Sequence, residues 1–147
     1  MKLNDISGQI IDSAIRIHTV LGPGLLESAY QACLSHELRK RGLAVEEHVQ
    51  IGIRYEGVVL DIGYRIDLRV ESLVIVELKA VSRVQPLHLA QLLSYLRLGD
   101  CPLGLLLNFH EPLMKNGITR LINRRASYFS AEARLAPRLQ KRRPIAH

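Results

Sequence analysis

Three ionisable side chains stand close along residues 61–80, DIGYRIDLRVESLVIVELKA: Asp67, Glu77 and Lys79. Two carboxylates brought together repel each other and push one pKa up, unless a cation sits between them. Hard divalent ions such as Mg²⁺ accept carboxylate oxygens while keeping several waters, and a neighbouring ammonium can then steer a water nucleophile. Such a set is suited to hydrolysing a phosphodiester. The bare spacing fits equally well an edge hairpin carrying a surface ion pair between Glu77 and Lys79.

For the three groups to meet, the stretch must fold back on itself. Ile62, Tyr64, Ile66, Leu68 and Val70 alternate with Asp61, Arg65, Asp67 and Arg69, which predicts a strand with the two sets on opposite faces. Residues 73–78 are continuously apolar up to Glu77, as in a strand covered on both sides. A loop over Glu71, Ser72 and Leu73 pairs Val70 with Val74 and sets Asp67 opposite Glu77. Glu77 and Lys79, two apart, share a face.

Upstream, Asn4 or Asp5 can cap a helix bearing Ile6, Ile10, Ile11, Ala14, Ile15 and Ile17, which stops at Gly22-Pro23-Gly24. A second helix is expected over 25–41. On it Glu27, Tyr30, Leu34 and Leu38 fall on one line, which aims a carboxylate along a core-facing stripe. In the first turn, a negative charge also suits the helix dipole. His18 reads as a hydrogen-bonded structural histidine rather than a site residue. Residues 49–55 and 58–60 form a hairpin about Glu56-Gly57, a helix runs from Gln85-Pro86 to Leu98, and 102–109 and 117–122 complete a sheet. Gln91 and Tyr95, four apart, share a helix face that can reach the Glu77 strand. The expected class is α/β (α+β): a mixed central sheet with an antiparallel meander, flanked by helices. One domain is expected over residues 1–123, with 124–147 as a basic C-terminal tail.

The chain has 147 residues, 48% hydrophobic and 23% charged, enough for one core. No apolar run reaches the ~20 residues of a membrane span and no leader pattern opens the chain, so no membrane role is expected. Cys33 and Cys101 form no metal-binding or redox pair, in keeping with reduced thiols in a cytoplasm. The net charge of +6 is unevenly placed, because residues 120–147 hold eight Lys and Arg against Glu132 alone. That basic end, with Arg124, Arg125, Lys141, Arg142 and Arg143, can attract phosphates or simply be solvated. No phosphate-cradling glycine loop, nucleophile elbow, aromatic base-stacking set or separate recognition motif is visible.

Taken together the segments resemble a known family. Gly24, Glu27 and Tyr30, within Leu21-Gly22-Pro23-Gly24-Leu25-Leu26-Glu27-Ser28-Ala29-Tyr30, resemble the signature of the GxxExxY proteins. Arg65-Ile66-Asp67-Leu68, Val76-Glu77-Leu78-Lys79-Ala80, Gln91-Leu92-Leu93-Ser94-Tyr95-Leu96 and Gly104-Leu105-Leu106-Leu107-Asn108-Phe109 look like that family's later blocks, in order. The resemblance spans about residues 8–123. It implies a PD-(D/E)XK (restriction-endonuclease-like) nuclease, with Glu27, Asp67 and Glu77 as ligands of Mg²⁺ (or Mn²⁺) and Lys79 activating water. It also implies that Gln91 and Tyr95 position a nucleic-acid substrate, with DNA favoured over RNA. The competing expectation is a catalytically silent nucleic-acid-binding or adaptor module in which the tail supplies the affinity.

Overall fold

A computed structural model describes residues 2–131. In chain order the elements are α1 (Leu3–Leu21), α2 (Glu27–Lys40), β1 (Val45–Tyr55), β2 (Val58–Val70), β3 (Val74–Lys79), α3 (Pro86–Leu98), β4 (Leu103–Asn108), a short 3₁₀ turn (Met114–Gly117) and β5 (Ile118–Ile122). The expected Lys141, Arg142 and Arg143 lie outside the described residues. The strands form one sheet in the order β1-β2-β3-β4-β5. Neighbours are antiparallel except β3 and β4, which run parallel because α3 carries the chain back across the sheet. The fold is thus a mixed sheet with an antiparallel meander and flanking helices.

Local chemistry accounts for the connections. Glu56 and Gly57 both take positive φ (50° and 77°), the backbone of a tight hairpin turn between β1 and β2. Glu71 and Ser72 do the same (53° and 55°), and the resulting loop fixes Val70↔Val74 and Leu68↔Val76, the expected register. α1 begins slightly earlier than an Asn4 or Asp5 cap implies. Asp5 instead sits inside the first turn, where its carboxylate accepts the Lys2 amide at 3.3 Å. α2 begins at Glu27 rather than residue 25, because the Gly-Pro-Gly connection extends through Leu26. No helix among the described residues is long and apolar enough to cross a membrane.

Two apolar layers clasp the sheet. Ile6, Ile10 and Ala14 of α1 and Tyr30, Leu34 and Leu38 of α2 pack with Val74, Val76 and Leu78 of β3. On the other face Leu92 and Leu96 of α3 pack with Ile75 and Leu106. β3 is therefore central, and Glu77 is only 7% exposed. That position replaces the alternative of an edge hairpin with a surface ion pair.

The strict alternation expected along β2 does not hold. Leu68 and Val70 pack in the α1/α2 layer, whereas Ile66 packs in the α3 layer. β1 changes over at the same level, with Val45 against the first layer and Val49 and Ile51 in the second. At this level of β1, His48 takes a left-handed φ of 53° between the pairs Glu47↔Leu68 and Val49↔Ile66. A residue in that conformation rotates the strand about its axis and changes the face its neighbours present. Asp67 lies where this rotation occurs.

Candidate active site

The acid pair is built where β2 and β3 part. Beyond Leu68↔Val76 the next position up the ladder brings Asp67 beside Glu77, and there side chains take over from backbone pairing. The Asp67 amide donates to Glu77 Oε1 at 3.0 Å, and the Leu78 amide donates to Asp67 Oδ2 at 2.9 Å. Each carboxylate is thus fixed by the main chain of the opposite strand. Burial pushes the Glu77 carboxyl up to about 8, and the negative charge of Asp67 adds to the rise. The Asp67 amide and the Lys79 ammonium act the other way and do not cancel it. Lys79, half-buried at the end of β3, shares the Glu77 face; its carbonyl accepts the Phe109 amide at 2.9 Å, which holds the strand end in place.

Glu27 reaches the same strand end from the other layer. It is the first residue of α2, is exposed, and its Oε1 accepts the Ala80 amide at 3.2 Å. The preceding connection explains how it gets there. Gly22 and Gly24 take positive φ (69° and 115°), which an L side chain rarely tolerates, and turn the chain sharply out of α1. The Tyr30 hydroxyl then donates to the Gly22 carbonyl and accepts the Leu25 amide at 3.1 Å, tying the loop down from inside α2. The Tyr30 ring is fully buried and stacks on Phe109 at 4.3 Å. The Gly, Glu and Tyr spacing therefore has a mechanical meaning: a turn, a carboxylate delivered to β3, and the clamp that holds both. Tyr30→Phe keeps the stack but removes both hydroxyl bonds. It should cost about 1–2 kcal/mol in urea unfolding and make the 22–26 connection more sensitive to limited proteolysis.

Gln91 is exposed on α3, and Tyr95, one turn on, is half-buried. Burial, and then the charge on Glu77, raise the pKa of the Tyr95 hydroxyl; Tyr64 and Asp67 add to the shift. Gln91 and Tyr95 both line a groove between α3 and the β1–β2 hairpin. Arg124 and Arg125 follow β5 in an exposed turn. His18 is buried, and its Nε2–H donates to the Glu111 carbonyl at 2.8 Å, the structural role expected of it.

Several supporting residues were not visible as such in the linear chain. Gln31, buried on α2, donates from Nε2 to the Asp67 carbonyl at 3.4 Å and lies 3.2 Å from His48 Nε2, bracing the point where β2 rotates. Its position directly after Tyr30 was the available signal. Asn108, 1% exposed, donates to the Val81 carbonyl at 2.9 Å and accepts the Val81 amide at 3.1 Å, fixing the segment after Lys79. A lone amide side chain ending the apolar run Leu105-Leu106-Leu107 was its signal.

The donor chemistry fits a hard divalent ion: the side chains gathered here are carboxylates, and two of them meet at a cost that a cation would relieve. Among the described residues, however, no three His, Cys, Asp or Glu side chains are arranged to hold an ion. Asp67 and Glu77 are assembled, whereas Glu27 is engaged with the Ala80 amide.

The sequence profile of the PD-(D/E)XK nuclease superfamily matches residues 4–121. No curated protein matches the chain. Among solved structures, that of SSO0001 is similar over 80% of this chain, with 19% identity and a TM-score of 0.43, and the chain spans 65% of its length.

Proposed function

Since the chain belongs to the PD-(D/E)XK nuclease superfamily, we propose that it is a metal-dependent nuclease hydrolysing phosphodiester bonds of nucleic acid, with DNA favoured. The observation that carries this reading is the Asp67–Glu77 pair, two carboxylates fixed by opposite strands, with Glu77 buried and its pKa raised to about 8 beside Lys79. Asp67 and Glu77 would hold Mg²⁺, or Mn²⁺, and Glu27 would add a carboxylate on leaving the Ala80 amide. When bound, such an ion supplies Lewis-acid charge to a phosphate oxygen and acidifies water.

The chain's own groups do the remaining work. Lys79, on the Glu77 face, donates hydrogen bonds that hold the attacking water in line and offset charge gathering on phosphorus. The water oxygen forms the new bond to phosphorus, the ester oxygen leaves, and the proton lost by water is balanced by one gained on the leaving oxygen. Gln91 and Tyr95 orient the phosphate backbone from α3. The Asp67 and Glu77 bonds to opposing amides keep both carboxylates still during the reaction, which lowers the reorganisation the step demands.

The test is a panel of single- and double-stranded DNA and RNA incubated with Mg²⁺, Mn²⁺ or EDTA. Cleavage in the metal arms alone supports the reading. Tight binding without cleavage of any substrate would make the protein a silent binding module. In that case deleting residues 124–147 should remove the affinity and flatten its salt dependence.

A further inference from the structure

The long β1–β2 hairpin leans over α3 and leaves an open groove of about 540 Å³ between them, lined by Ile53, Tyr64, Leu87, Gln91, Tyr95 and Arg97 among others. Its size is that of a small-ligand site, typically ~300–1,000 Å³. The walls are apolar, with Leu87 and Tyr64 left 65% and 42% exposed. In the groove, Tyr64 of β2 and Tyr95 of α3 meet with ring centroids 5.8 Å apart and planes tilted by 48°. The tilt leaves ring surface facing the groove. Glu77, two along β3 from Ile75, faces the same α3 layer as the groove, and Tyr95, which lines the groove, feels the charges of both Glu77 and Asp67. Gln91 and Arg97 supply amide and guanidinium donors along it.

An apolar cleft with aromatic faces and one guanidinium, on the same face of the sheet as the acid pair, matches the parts of a nucleotide: a flat base, then an anionic backbone. We propose that the groove seats the unpaired base of a nucleotide adjoining the scissile phosphate, stacked on Tyr64. This inference rests on the nuclease reading above and narrows it to single-stranded or frayed nucleic acid. A base inside a duplex is covered on both faces by its neighbours and cannot present one to Tyr64 without leaving the stack.

The experiment uses the full chain carrying Lys79→Ala, with and without Mg²⁺. It measures binding of a short single strand containing 2-aminopurine, the same strand with abasic sites, and its blunt duplex. The expected result is quenched 2-aminopurine fluorescence on the single strand and weaker binding of the abasic strand and the duplex. Adding Tyr64→Ala should lower single-strand affinity about five- to hundredfold, while Tyr64→Phe restores it. Equal affinity for duplex and single strand, no loss with Tyr64→Ala, or full affinity with Tyr64→Leu would overturn the proposal. The last outcome would indicate a plain apolar docking groove, such as one for a protein segment. Absence of any binding would also overturn it. Cleavage of the same strand by the unmutated chain with Mn²⁺ is scored separately. Stacking without cleavage sinks the nuclease reading alone, and cleavage without stacking sinks this one alone.

Discussion

Lys79→Ala should lower phosphodiester cleavage by about 10²–10³-fold, while thermal melting and circular dichroism stay close to those of the unmutated chain. The loss follows from position. Lys79 is the cationic donor beside Glu77 on the central strand, so its removal leaves both the water and the charge building on phosphorus unsupported. The fold survives because the side chain is only half-buried, and the backbone bond that fixes the strand end, from the Phe109 amide to the Lys79 carbonyl, does not involve it. Asp67 is a harder case. Its Oδ2 accepts the Leu78 amide in place of a ladder bond, so Asp67→Ala should cost about 1–2 kcal/mol as well as activity. Asp67→Asn separates the two effects, because an amide oxygen can still accept the Leu78 N–H while the negative charge is gone. Full cleavage activity in purified Lys79→Ala would remove the lysine from the mechanism, and full activity in Asp67→Asn would remove the charge on Asp67.

Much of this architecture can be read from the linear chain because punctuation and period agree. Gln85-Pro86 opens α3, Gly99 follows its end, and the loop over Glu71, Ser72 and Leu73 fixes a hairpin register from which the Asp67–Glu77 encounter follows. The Gly24, Glu27 and Tyr30 spacing is equally legible, although the clamp formed by the Tyr30 hydroxyl is visible only once the loop is seen to pass over it. The rotation at His48 is not legible. Glycine advertises positive φ by its composition, whereas a histidine held there by its surroundings carries no mark in the sequence. On the partner strand Ile66 packs in the α3 layer and Tyr64 meets Tyr95, so an aromatic pair absent from any local motif emerges between two elements. The same limit applies to Glu27. Its helix position predicted a line of residues directed at the core, and Tyr30, Leu34 and Leu38 are indeed fully buried. A residue at the very start of a helix projects past the layer, however, and Glu27 finds the Ala80 amide at the rim.

The second large effect concerns pH. Glu77 has its pKa raised from an ordinary 4.5 to about 8, first by burial and then by Asp67. Without a divalent cation, the folded chain keeps a proton between those values that the unfolded chain has already lost. Stability is therefore full below the lower value and falls as pH climbs through the window. A cation needs the ionised carboxylate, so Mn²⁺ or Mg²⁺ affinity should rise about tenfold per pH unit up to about pH 8 and then level off, with close to one proton released per ion bound. Glu77→Gln removes the titration but keeps an oxygen to accept the Asp67 amide. It should flatten the stability profile measured by urea unfolding in EDTA, weaken metal binding severely, and abolish the proton release. Titration calorimetry of Mn²⁺ in buffers of differing ionisation enthalpy reads that release directly, independently of any nucleic acid. An affinity unchanged across the window, with no proton released, would take Glu77 out of the ligand set and leave its burial as a purely structural feature of the β2–β3 junction.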